Sequence, residues 1–182
     1  MAGLRKGHCY TPIERPYTRK SKFKAKGFIK AVPACKVSRF ELGDPKKKFQ
    51  FRITLEAKDA LQIRHNALES ARQIVNRSLE KGLGANYLFK VRLYPHHVLR
   101  ENRMLTGAGA DRMSTGMQLS FGTTVGLAAQ TKAGKVVMSA DVEQGGIEIA
   151  RKAMDSARPR LPGHYVVKTE KIIHKPIEVK AQ

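Results

Sequence analysis

Cysteine is scarce in this chain. Cys9 and Cys35 form no CxxC spacing and support no disulfide framework, so both are read as free thiols. Acidic residues are scarce too: fifteen Asp and Glu stand against thirty-five Lys and Arg, a formal net charge of +20. A free globular enzyme seldom carries self-repulsion of that size, and a polyanion would relieve it. Nucleic acid is the leading partner, with an anionic membrane surface second. No run of about 18 apolar residues is present to span a bilayer. The start, MAGLRKGHCYTP, lacks the apolar core of a signal peptide, so the expected location is the cytoplasm.

Catalytic motifs are equally absent. Gly107 to Asp111 (GAGAD) is neither GxxxxGK[ST] nor GxGxxG between a strand and a helix. There is no nucleophile elbow and no matched Cys/His signature. Glu101 and Asp111 each sit beside an arginine, which leaves no carboxylate pair for acid–base work. The adjacent His96 and His97 point to opposite sides of an extended segment and cannot easily share a metal. The expectation is a binding protein with no catalytic residue, metal, cofactor or small-molecule substrate.

What the chain does have begins with a basic arm. Residues 1 to 48 hold fourteen Lys and Arg against three acids, an excess of eleven. Up to Pro33 the arm carries Pro12 and Pro16, few aliphatics, and Tyr10, Tyr17, Phe23 and Phe28 among its basic residues. It reads as an extended segment whose cations contact phosphates and whose aromatics stack on bases or anchor in clefts. Residues 1–34 are taken as this arm, 35–172 as a single domain and 173–182 as a tail with little to pack.

Within the domain, Cys35 to Leu42 and Lys48 to Leu55 alternate polar and apolar residues around Gly43-Asp44-Pro45, which predicts two antiparallel strands joined by a basic turn. Asp59 to Lys81 predicts a helix. From Ala60 to Leu79 its apolar residues fall within one arc of roughly 160°, with Asp59 as cap and Gly82 or Gly84 as stop. Arg64 falls inside that arc, either snorkelling past the core edge or reaching a partner across the helix start. Asn86 to Tyr94 predicts a strand with Tyr87, Phe89, Val91 and Leu93 inward and Lys90 and Arg92 shown to a partner. Phe121 to Gln130 and Lys135 to Val142 predict strands joined by the turn residues 131–134. Gly146 to Ala157 predicts a second amphipathic helix, and His164 to Glu170 a last strand. Strands and helices mixed without a strict βαβ rhythm indicate an α+β fold: a mixed, mostly antiparallel sheet with two packed helices.

Val98 to Met117 stands apart. It gives up hydrophobic periodicity for Gly107, Gly109 and Gly116, small residues, and Arg100, Arg103 and Arg112. Such a stretch loses much backbone entropy if ordered alone, so it reads as a long loop held at its ends, with arginines and amides suited to a phosphate backbone.

Taken together, Arg64 to Arg72 (RHNALESAR), Val91 to Pro95 (VRLYP), Leu99 to Asn102 (LREN) and Met104 to Arg112 (MLTGAGADR) closely resemble the universal large-subunit ribosomal protein family called L-sixteen in bacteria and L-ten-e in archaea and eukaryotes. The arm residues Arg15 to Arg19, Val32-Pro33, and Lys36 to Gly43 are similar to the archaeal and eukaryotic branch, and the short tail is similar to archaeal members. The resemblance implies an α/β hammerhead-like fold on large-subunit rRNA, near 5S rRNA and the aminoacyl-site tRNA, among neighbouring large-subunit proteins. It implies that the loop Asn102, Arg103, Met104, Leu105, Thr106, Gly107, Ala108, Gly109, Ala110, Asp111, Arg112 and Met113 points toward the peptidyl transferase centre. The rRNA-binding candidates are Arg15, Tyr17, Arg19, Lys20, Lys22, Lys24 and Lys26 on the arm, and Arg64, His65, Arg72, Lys90, Arg92 and Arg100 on the domain. The alternative function is a tRNA- or rRNA-acting enzyme that uses the Gly-rich loop as a lid.

Overall fold

The computed structural model describes residues 5–19, 23, 25–29, 31–102 and 122–172. Its elements are β1 (Glu41–Gly43), β2 (Phe51–Ala57), β3 (Leu61–Arg64), α1 (His65–Leu83), β4 (Leu88–Val91), β5 (His97–Glu101), β6 (Thr123–Thr131), β7 (Val136–Val142), α2 (Ile147–Ala157) and β8 (Tyr165–Lys171), with short 3-10 turns at Gly7–Tyr10, Gln144–Gly146 and Arg158–Arg160. The fold is α+β. The sheet expected as one mixed unit is two sheets, ordered β1-β4-β7-β2-β8 and β3-β6-β5, and every pairing among the described residues is antiparallel.

The larger sheet forms the body. Alternation along β2 and β4 turns Ile53, Leu55 and Phe89 inward, and all three are fully buried. Against them pack Leu68, Ala71, Val75 and Leu79 of α1 and Ala150, Ala153, Met154 and Ala157 of α2, in one continuous core. Those α1 residues recur at i, i+3, i+7 and i+11, the stripe a core-facing helix needs. The opposite face of the sheet is polar and self-paired. Arg52 forks onto Asp141 at 2.7 and 2.8 Å, Lys90 meets Glu41 at 2.8 Å and Lys168 meets Glu56 at 2.6 Å.

The smaller sheet is covered by the arm. At one edge Gln62 N–H donates to Thr11 O at 3.0 Å; at the other Val98 N–H donates to Tyr17 O at 3.1 Å. Tyr10 packs with Leu99 and Ala128, while Ile29 packs with Val98 and Leu127. Cross-strand register puts Val98 opposite Leu127 and His97 opposite Ala128, so these two clusters lie on opposite faces. The arm therefore wraps the sheet.

Three sequence expectations are corrected. The residues around Gly43-Asp44-Pro45 form no hairpin, because both edges of β2 are taken by β7 and β8, and β4 and β7 lie between β1 and β2. The helix starts at His65, not Asp59: Leu61 to Arg64 pair with Thr131 to Ala128 as β3, and the Asp59 carboxylate accepts from His164 N–H at 3.0 Å instead of capping a helix. The two strands expected on either side of residues 131–134 do form, as β6 and β7, and the connection through Gly134 (φ +77°) carries the chain from one sheet to the other. Val98 to Glu101 are strand, not loop, because the arm supplies the apolar cover their own neighbours lack.

Candidate nucleic-acid interface

Four cations, two on the arm and two on the domain, lie on the arm's aromatic rings. Arg19 sits 4.9 Å from the Phe28 centroid, Lys26 5.9 Å from Phe23, Arg100 4.1 Å from Tyr17 and Arg64 4.7 Å from Tyr10. Such contacts orient a cation without neutralising it. Phe23 and Phe28 remain 60% and 50% exposed, whereas Tyr10 is buried as an anchor. Arg15, Arg19, Lys26 and Arg100 are exposed, and Tyr17 and Arg64 are half-buried.

Other predicted positions are placed differently. Arg72 is 8% exposed and held by Glu69 at 2.6 and 2.8 Å, and the same hydrogen bonds keep the Glu69 carboxyl below its ordinary value. His65 is buried; desolvation lowers its pKa, with Lys36 and Arg64 pushing the same way, so it is neutral near pH 7. Lys90 pairs with Glu41, and Arg92 Nε donates to Ser139 Oγ at 2.9 Å. Lys20, Lys22, Lys24, and Arg103 to Met113 lie outside the described residues, as do the residues after Ile172 taken as the tail.

The stem that leads to residues 103–121 is tightly built. Glu101 pairs with Thr123 at the strand ends. A Cβ at Gly122 would lie 2.7 Å from the Glu101 carbonyl carbon, a distance only glycine permits. Glu101 also takes Arg5 at 2.8 Å and a long hydrogen bond from the Tyr10 hydroxyl at 3.4 Å. Here the arm and the stem are joined. Next to this junction, Tyr17 N–H donates to His97 Nδ1 at 2.7 Å. That bond needs a neutral imidazole, and burial holds the His97 pKa below its ordinary value, His96 and Arg100 adding to the effect and Glu14 opposing it.

Sequence reasoning missed a second cationic feature. A cleft of about 530 Å³ opens where residues 7–11, 62–70 and 159–162 meet, lined by Arg64, Arg160 and His8 among others. Its local signals were Arg64, read as snorkelling or as reaching a partner across the helix start, and Arg160 between Pro159 and Pro162. Among the described residues no group of three or more His, Cys, Asp or Glu is arranged to hold a metal, and no helix is long and apolar enough to cross a membrane.

Comparison with known proteins gives a consistent result. The family model described as ribosomal protein L16p/L10e matches residues 12–168. A protein of Archaeoglobus fulgidus named large ribosomal subunit protein uL16 is 42% identical over 160 residues, covering 87% of this chain and 88% of the relative. Proteins of the same name from Metallosphaera sedula and Methanocella arvoryzae are 43% and 42% identical, covering 87% and 91% of this chain and 90% and 94% of their own lengths.

Proposed function

The chain belongs to the ribosomal protein L16p/L10e family, and from that premise we propose that it builds and holds rRNA structure in the large subunit of the cytoplasmic ribosome. It is a structural protein of the ribosome, of archaeal type, and not an enzyme; the lid-enzyme alternative is set aside. Its partners are large-subunit rRNA and neighbouring ribosomal proteins.

The finer reading rests on one observation: the basic arm is fastened to the stem from which the Gly-rich stretch departs, through Arg5, Tyr10 and Glu101. RNA that grips the arm at Arg15, Tyr17, Arg19, Lys20, Lys22, Lys24 and Lys26 then fixes where that stretch starts. Loop 102–113 is directed toward the peptidyl transferase centre and helps position tRNA, with 5S rRNA and the aminoacyl-site tRNA close by. Arg64 and Arg100 extend the arm's interface onto the domain. Arg72, Lys90 and Arg92 serve only if RNA displaces their present partners, and His65 contributes shape without charge.

The deciding experiment is sedimentation of a cell extract through sucrose gradients at low and high salt, with the protein followed by immunoblot. Co-migration with the large subunit in both is the expected result. Protein remaining at the top of both gradients would overturn the reading and describe a free RNA-binding factor. For the finer reading, bulky replacements at Gly107 and Gly109 should leave subunit assembly intact and impair translation; failure of subunits to form would make the loop structural instead.

A further inference from the structure

We infer that the cleft at the start of α1 is a phosphate pocket that receives one backbone phosphodiester of large-subunit rRNA, an assignment that rests on the ribosomal reading above. The first observation is charge. Arg64 and Arg160 line the cleft, and among the described residues no Asp or Glu does. Arg64 stacks on Tyr10 and meets no carboxylate among the described residues; Arg160 Nη1 donates to Ser70 Oγ, a neutral acceptor, at a long 3.4 Å. Two guanidiniums are thus gathered from remote parts of the chain without an anion between them.

The second observation is the helix end. The 19-residue α1 begins here with Arg64 as its N-cap and no side-chain cap. An arginine has no acceptor to offer the first-turn N–H groups. Asn66 Oδ1 reaches the N–H of Ala67 at 3.0 Å, and the partial positive charge of the helix start otherwise faces the cleft that Asn66, Ala67 and Ser70 line.

A third observation is independent of both. Gln62 lines the same cleft and is 1% exposed; its Oε1 accepts from Gln130 Nε2 at 3.3 Å, but its own Nε2 has no acceptor among the described residues. Buried amide donors are rarely left so. A side-chain rotation toward the cleft would give this N–H an acceptor, provided the ligand carries one. Guanidiniums, helix N–H groups and an amide N–H all donate, so the fitting ligand is rich in acceptors and anionic. A phosphodiester has that chemistry.

The test uses the full-length protein, in vitro transcribed large-subunit rRNA and filter binding across a salt series. The Arg64→Gln/Arg160→Gln double variant should bind about tenfold more weakly. Its log K against log salt should flatten by no more than about 0.9, one phosphate's worth. Asn66→Asp keeps the acceptor for Ala67 but puts a carboxylate in the pocket. Its melting temperature should hold or rise, because Asp suits a first helical turn, while RNA affinity falls by about tenfold. Misfolding cannot move stability and binding in opposite directions. Arg15→Ala/Arg19→Ala serves as the arm control. If it weakens binding while both cleft variants bind as wild type, the pocket is overturned and the ribosomal reading stands. If wild-type protein shows no preference for this rRNA over unrelated RNA, the ribosomal reading falls and takes the pocket with it. Inorganic phosphate, compared with chloride at equal ionic strength, separates the two sources. A melting shift in wild type that Asn66→Asp abolishes, alongside weakened RNA binding, supports the pocket. The same shift with unaltered RNA binding overturns its assignment to RNA.

Discussion

The two sheets solve the same problem in opposite ways. The five-stranded sheet buries one face under α1 and α2 in a continuous core and neutralises the charges of its other face internally, through Arg52–Asp141, Lys90–Glu41 and Lys168–Glu56. The three-stranded sheet shares that core only through Leu61, Ile63 and Ala129. Its small apolar clusters are completed by Tyr10 and Ile29 from the arm, and the cations around it lie on rings. Charge already paired within a protein must be unpaired before RNA can use it, whereas the rings under Arg19 and Arg64 leave their charge in place. The body therefore supplies stability, and the arm-covered sheet carries the cations that the proposed function assigns to RNA.

The largest way to test this division is to hollow the body. Phe89→Ala removes a fully buried ring from the core and should cost about 3–5 kcal/mol in urea unfolding. A loss near 1 kcal/mol would mean that the body is not the seat of stability. Tyr10→Ala, at a satellite cluster with Leu99 and Ala128, should cost less, about 2 kcal/mol. Its signature is local: amide exchange should speed at Gln62, whose N–H is held by Thr11 O, while β2 and β7 stay protected.

Acid should act on the arm before the body. Burial lowers the His97 pKa from its ordinary 6.5. The unfolded chain then binds the proton more readily, so stability present above about pH 6.5 declines as pH falls through that value toward the lower folded pKa. Protonation also deprives Tyr17 N–H of its acceptor. His97→Gln, which keeps an acceptor and cannot titrate, should show a smaller stability loss between neutral and acidic buffer than wild type in parallel urea titrations. An identical loss would leave His65, lowered in the same direction, as the responsible group. The smallest effect belongs to Lys90→Ala. Its partner Glu41 is 60% exposed, so the change should stay below about 1 kcal/mol, and RNA affinity should barely move.

Much of the body was legible in the residues alone. Inward Tyr87, Phe89, Val91 and Leu93, the buried stripe of α1 and the Ala-rich face of α2 follow from periods of 2 and 3.6, and those periods depend only on near neighbours. The fold class and the family followed too, the latter from contiguous blocks such as RHNALESAR. Elsewhere local pattern was ambiguous: Leu61 and Ile63 fit a helical arc and an alternating strand equally, and pairing with β6 chose the strand. Arg72 looked outward on a helical projection, yet Glu69 one turn earlier draws it into a buried pair.

By itself, then, the sequence determined the charge excess, the amphipathic elements and the membership, because each is a property of composition or of residues close along the chain. Only the tertiary structure decided which sheet each strand joined, that the arm covers Val98 and Leu99, and that Arg64 and Arg160 share a cleft with Gln62. Those outcomes join residues many tens of positions apart. They depend on which edges and faces remain uncovered once the local elements have formed, and no local period encodes that.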